Sequence, residues 1–129
     1  MSLLKGKKVL LVEDNDLNRE IARTILEEVG MEVEEATDGT VAVDMLGKKK
    51  SSDYDVVLMD IQMPYMDGYK ATRIIRNAEV RTRGHVPIIA MTANAFEEDK
   101  AKAYEAGMDA HIAKPVDTKE LYRELVRLS

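Results

Sequence analysis

Three apolar runs in this chain end on charged residues that a hydrocarbon core rejects. Val9-Leu10-Leu11-Val12 leads into Glu13 and Asp14, Val56-Val57-Leu58-Met59 into Asp60, and Ala110-His111-Ile112-Ala113 into Lys114. If the runs are neighbouring parallel strands, three carboxylates and one ammonium meet at one edge of a sheet. Carboxylates packed together repel, so the bare site should hold them at a cost or with one pKa raised. A divalent cation relieves that repulsion. The donors are hard oxygens and the chain has no cysteine, which favours magnesium over zinc or copper, with manganese as a substitute. Asp14 and Asp60 are candidates for direct ligation and Glu13 for ligation through water, and a main-chain carbonyl just past Asp60 would complete the protein's share. Taken alone, Glu13 and Asp14 also read as ordinary acids at a helix start.

Lys114 shifts that balance, because a compact ammonium aimed at such a centre can pair with a phosphoryl oxygen. Thr92 closes the run Val86-Pro87-Ile88-Ile89-Ala90-Met91 and adds a hydroxyl. A carboxylate flanked by metal, ammonium and hydroxyl has what phosphoryl transfer to aspartate needs, namely positioning and charge neutralisation.

The elements that must position these groups alternate along the chain. Short apolar, β-branched runs end near Val12, Ala36, Met59, Met91 and Ala113, and a helix-like segment follows each. That alternation predicts βαβ units and a parallel sheet. Leu17, Ile21, Ile25 and Val29 recur every fourth residue beside Ala22 and Leu26, predicting a first helix stopped by Gly30. This stripe would make Leu17 and Ile21 core positions. Asp38 can cap a second helix carrying Val41, Ala42, Met45 and Leu46. A third helix should start near Gly68 and bury Ala71, Ile74 and Ile75. A fourth should run from about Ala95 to Ala106, with a thin apolar side of Ala101, Ala103 and Ala106 and only Phe96 and Tyr104 as large groups. Asp117 with Glu120 fits a capping pattern ahead of Leu121, Leu125 and Leu128. Right-handed crossovers leave an open doubly wound sheet, whose ligand site lies beyond the carboxyl ends of its strands. Glu13, Asp14, Asp60, Thr92 and Lys114 all fall there.

Bulk composition narrows the class. With 129 residues, 45% of them hydrophobic and 33% charged, the chain is expected to form one domain with a single well-filled core. Met1-Ser2-Leu3 reads as residues added for expression. No apolar stretch reaches the length of a membrane span and no signal sequence is visible, so a cytoplasmic protein is expected, although a parent protein could be membrane-anchored. The net charge of -5 argues against nucleic-acid binding by this domain.

Four ordered segments carry a family resemblance: Leu11-Val12-Glu13-Asp14-Asn15, Leu58 through Gly68, Ile89 through Ala95, and Ala113-Lys114-Pro115. From about Lys7 to its end the chain resembles the receiver domain of two-component response regulators, and its wording is most similar to receivers attached to hybrid sensor histidine kinases. The resemblance implies a flavodoxin-like sheet of order 2-1-3-4-5 with five helices. It implies Asp60 as phosphoacceptor from a phosphohistidine, magnesium held by Asp14, Asp60 and the Gln62 carbonyl with Glu13 behind them, Lys114 on the phosphoryl group, and Thr92 as switch hydroxyl. It also implies that Gln62 and Asn94 tune the phosphoryl lifetime. Both are amides, so a long lifetime is expected. A sensor histidine kinase or a histidine-phosphotransfer domain would be the partner, docking through Asp16, Leu17, Asn18 and Ile21. One departure stands out: His111 occupies the position where the family often has a switch tyrosine or phenylalanine, and an imidazole is smaller and can titrate.

Three rival readings are weaker. An aspartate-nucleophile phosphatase typically wants an acid two residues past the nucleophile, where this chain has Gln62. A flavin- or nucleotide-binding protein wants a Gly-rich loop after the first strand, where Asp14-Asn15-Asp16 would repel phosphate. A receiver-like interaction module that is never phosphorylated would not need the full set of site residues.

Overall fold

The computed structural model describes residues 3–48, 53–82, 84–93, 97–114 and 116–128. Five strands alternate with five helices: β1 Lys8–Val12, α1 Asp16–Glu28, β2 Glu32–Ala36, α2 Gly39–Lys48, β3 Val56–Asp60, α3 Gly68–Thr82, β4 Ile88–Thr92, α4 Glu97–Ala106, β5 Ala110–Ala113 and α5 Thr118–Leu128. All pairings are parallel, in the order β2-β1-β3-β4-β5. This is the doubly wound, flavodoxin-like sheet that the resemblance implied.

The pleat divides each central strand between two cores. Leu10, Val12, Val57, Met59, Ile88 and Ala90 face the side covered by Ala42 and Leu46 of α2, Ala71 and Ile75 of α3, and Ala103 of α4. Val9, Leu11, Val56, Leu58, Ile89 and Met91 face Ala22 and Leu26 of α1 and Leu121 and Leu125 of α5. Register brings the strands to one level: Val12 pairs with Met59, Asp60 with Met91 and Thr92 with Ala113. Whatever follows those residues must meet at one edge.

Helix ends follow local chemistry. The Asn15 side chain accepts from the Asn18 amide and caps α1. Asp38 accepts from the Val41 amide at α2, Asp67 from Lys70 at α3, and Asp117 from Lys119 and Glu120 at α5. Gly30 ends α1 in the left-handed region at φ 83°, and its amide bonds the Glu27 carbonyl while that of Met31 bonds Leu26.

Two expectations change, and one contact appears that the sequence did not mark. Leu17 and Ile21 are 65% and 51% exposed, so α1 buries Ala22 and Leu26 and turns the front of the Leu17-Ile21-Ile25-Val29 stripe to solvent. In α4, Ala103 and Ala106 are buried but Ala101 and Tyr104 are exposed, while Phe96 and the proposed start at Ala95 lie outside the described residues. Leu4 is buried in the α1/α5 core and the Gly6 amide bonds the Gly30 carbonyl, so the fold begins ahead of β1.

At the amino ends of β4 and β5, Arg76 of α3 organises a polar network. Its Nε donates to the Gly107 carbonyl at 2.8 Å, one terminal nitrogen to Glu79 at 2.6 Å and to the Val86 carbonyl at 2.8 Å, and the other to Asp109 at 2.7 Å. Glu79 and Asp109 accept in turn from the amides of Val86 and Ile88. Gly107 sits at φ 106°, and a Cβ there would come within 2.8 Å of the Arg76 side chain. No helix among the described residues is long and apolar enough to cross a membrane.

Candidate functional site

At the carboxyl edge of the sheet Glu13 and Asp60 are 2% and 3% exposed, and Asp14 opens to solvent. One carboxylate oxygen from each can lie within 4.8 Å of the others. Lys114, just past β5, places its ammonium 3.1 Å from Glu13 Oε1 and 3.0 Å from Asp60 Oδ2. Thr92, the last residue of β4, is buried beside them, and its carbonyl accepts the Lys114 amide at 2.7 Å. Sequence reasoning placed all five residues at this edge, and the structure brings them together.

The electrostatics follow from burial. Burial lifts the Glu13 carboxyl above its ordinary range, the neighbouring Asp60 carboxyl adds to that, and Lys114 opposes it. Burial alone would lower the Lys114 pKa, yet its bonds to Asp60 and Glu13 hold it above the usual lysine value. The second Glu13 oxygen, Oε2, is buried with no hydrogen-bond partner. Three carboxylates against one ammonium, with an orphaned acceptor among them, fit a hard divalent cation with oxygen ligands.

The loop from β3 to α3 shapes the open side. The Gln62 amide donates to Asp60 Oδ1 at 3.2 Å, and the Gly68 amide closes onto the Ile61 carbonyl at 2.9 Å. A Cβ on Gly68 would stand 2.5 Å from the Asp60 carbonyl oxygen, so only glycine lets α3 start this close to the acid. Between them Met66 donates to the Pro64 carbonyl across Tyr65, whose φ is 67° and whose side chain projects into solvent. Asp14, Gln62, Thr92 and, from α4, Asp99 and Lys102 line a cleft of about 580 Å³. Lys102 and Asp99 carried no motif signal, and the packing of α4 against α3 and β5 brings them here.

A second, apolar groove of about 160 Å³ runs behind the acids, between Ile21 and Ile25 of α1 and Met91 and Val116, with Glu13 and Lys114 at its polar end. Asp16, Leu17 and Asn18 lie exposed on the same first turns of α1. His111 is half-buried on β5, in register with Ala90. Asn94 lies outside the described residues.

Sequence reasoning missed Arg19. Its guanidinium, 14% exposed, donates to the Glu13 carbonyl at 2.9 Å and pairs with Asp16 and with Glu35 of β2. Nothing local in the sequence marks that link.

The sequence matches the response regulator receiver domain over residues 9–126. It is 45% identical to hybrid signal transduction histidine kinase I of Dictyostelium discoideum over 90% of this chain but only 7% of that protein. It spans a similarly small share of the other curated histidine kinases it matches. Among solved structures, the receiver domain of sensor histidine kinase PA1611 from Pseudomonas aeruginosa, with magnesium in its active-site cleft, is 42% identical, with a TM-score of 0.83 over 95% of this chain and 97% of that one. The receiver of Ssk1 from Saccharomyces cerevisiae, crystallised with the phosphotransfer protein Ypd1, has a TM-score of 0.87 at 26% identity over 98% of this chain and 91% of that one. With the match running through every strand and the acids, hydroxyl and lysine standing together at the sheet edge, the chain belongs to the response regulator receiver domain family.

Proposed function

We propose that Asp60 accepts a phosphoryl group from a phosphohistidine of a partner protein, and that residues 1–129 act as one receiver domain in a phosphorelay. The observation that carries this reading is the Lys114 ammonium bridging Glu13 and Asp60 at 3.1 and 3.0 Å over a cluster of three carboxylates. Asp14, Asp60 and the Gln62 carbonyl would hold magnesium, or manganese in its place, with Glu13 behind them. Bound there, the ion supplies positive charge for the phosphoryl oxygens. One Asp60 oxygen attacks phosphorus, the bond from phosphorus to the donor imidazole nitrogen breaks, and the imidazole keeps that electron pair and takes a proton from solvent. Lys114 offers its ammonium to the transferred group, and Thr92 its hydroxyl.

The curated kinases and the Ssk1 complex support a sensor histidine kinase or a histidine-phosphotransfer domain as the partner. Exposed Leu17 and Ile21, next to the apolar groove and to Asp16 and Asn18, support docking along α1. The domain serves as a switch with one transfer per cycle, acting in the cytoplasm through the α4, β5 and α5 face that carries His111. Gln62, with Asn94, would leave hydrolytic water without a base and lengthen the phosphoryl lifetime.

Intact mass after incubation with acetyl phosphate, with and without magnesium, tests the assignment. One magnesium-dependent phosphoryl adduct, absent from Asp60→Asn, is expected. A folded wild type that binds magnesium but gains no adduct from acetyl phosphate or from a phosphorylated histidine-phosphotransfer protein would overturn it.

A further inference from the structure

The Glu13–Asp14 segment has to hold two carboxylates against their own repulsion, and its main chain is gripped from both sides. On one side the Glu13 amide donates to the Ala36 carbonyl at the end of β2, at 3.1 Å. On the other the Glu13 carbonyl accepts from Arg19 at 2.9 Å. Arg19 is itself anchored, because Asp16 and Glu35 hold two further edges of its guanidinium. One residue past the acids, Asn15 caps α1 and fixes the exit of the segment. Arg19 is thus the one side chain among the described residues shown to tie the acid-bearing backbone to both α1 and β2.

We propose that Arg19 is a positioning residue of the cation site, acting through the Glu13 carbonyl to set where the Glu13 and Asp14 carboxylates stand. The proposal rests on the metal reading above. Charge and geometry make opposite predictions here. Arg19 is a cation close to a site that binds a cation, so an effect of its charge alone would be to weaken magnesium binding, and its removal would tighten it. A positioning role predicts that removal loosens binding. Asp16 and Glu35 already balance the guanidinium, which leaves geometry as the larger effect.

Arg23 supplies a matched control. It lies one turn further along α1 and pairs with the same Glu35 at 2.9 Å, but its other partner is Glu27 and it does not touch Glu13. Magnesium binding would be measured by isothermal titration calorimetry on wild type, Arg19→Gln, Arg19→Lys and Arg23→Gln, with amide hydrogen exchange at Asp14 followed in metal-free protein. Removing a partner that orients metal ligands weakens binding about tenfold, and that loss is expected for Arg19→Gln, with faster exchange at Asp14 and near wild-type behaviour in Arg23→Gln. Arg19→Lys keeps the charge but loses the planar fork, so a loss of about threefold is expected there. It carries the comparison if Arg19→Gln fails to fold. Unchanged or tighter binding in both Arg19 variants, or equal losses in the Arg19 and Arg23 variants, would overturn the proposal while leaving the metal reading intact. A wild type that takes up no magnesium would overturn the metal reading and the proposal with it.

Discussion

Replacing Arg76 by methionine keeps most of the buried stem and deletes the charged fork that pairs with Glu79 on the same helix and joins α3 to the Gly107 carbonyl, the Val86 carbonyl and Asp109. What remains is the problem. The Glu79 side chain is 6% exposed and would lose Arg76 while keeping the Val86 amide, whereas Asp109 is 24% exposed and keeps the Ile88 amide and His85. Removing one partner of a buried ion pair costs about 3–5 kcal/mol, because the surviving charge stays desolvated. Partial exposure of Asp109 places this site at the lower end, near 3 kcal/mol. For a domain of this size that corresponds to a fall in Tm of roughly 10 °C. Urea unfolding followed by far-UV circular dichroism should show a lower midpoint with the slope unchanged. Adding Glu79→Gln in the Arg76→Met background should recover about 1 kcal/mol or more, since an amide is cheaper to leave buried than a carboxylate. A loss below about 1 kcal/mol, or no recovery in the double variant, would refute the view that this network is a buried ionic brace. The brace lies at the amino ends of β4 and β5, so magnesium binding at the opposite edge should be unchanged.

The remaining predictions concern charge and contact at separate places. Tyr54 donates to Glu34 at 3.0 Å, and burial followed by that bond pushes its phenol up to about 12. The folded state therefore keeps a proton that the unfolded chain loses near pH 10, so this contribution is full below pH 10 and lost as pH rises toward 12. Alkaline titration of the phenolate absorbance should show a late component that Tyr54→Phe diminishes, with Tyr69, also raised by burial, contributing the rest; an unchanged late component in Tyr54→Phe would contradict this. Leu17→Ala with Ile21→Ala should change stability by no more than about 0.5 kcal/mol, because both side chains are exposed. The same pair should slow transfer from a phosphorylated histidine-phosphotransfer protein at least about tenfold while acetyl phosphate labelling persists, with an unaltered transfer rate arguing against docking there. Lys114→Gln should strengthen magnesium binding, since an ammonium no longer competes for Glu13 and Asp60, and should cut labelling sharply; calorimetry and intact mass report the two effects separately.

The acid edge was legible because strands announce themselves twice. Runs such as Val56-Val57-Leu58-Met59 are too apolar for anything but a sheet covered on both faces, and a charge straight after them can only stand at its rim. Helix starts were legible for the same local reason, as with Asp38 and Asp117. The α1 stripe misled because a period of about four residues describes a face without saying which face is covered. Ala22 and Leu26 take the core, and Leu17 and Ile21 lie at the open end of α1, more than half exposed. Arg19, Arg76 and Leu4 act through partners on other elements, and such contacts leave no trace in local spacing. The edge strand Glu32-Val33-Glu34-Glu35-Ala36 shows this from the other side: its acids look like solvated charge, yet Glu35 anchors Arg19 and Arg23 and Glu34 meets Lys8 and Tyr54.

Lys114 makes the acid edge an ion exchanger with its own resident ion. The free domain carries an ammonium wedged between two carboxylates, so an incoming divalent ion is measured against a tethered competitor and not against empty space. If Asp60 takes a phosphoryl group as proposed, the resulting acyl phosphate gives up one carboxylate charge, and the phosphoryl oxygens that replace it carry more. The lysine then has a richer anion to turn to at the moment its first partner is spent. On that reading, loading and unloading the site would proceed by trading partners around one tethered cation.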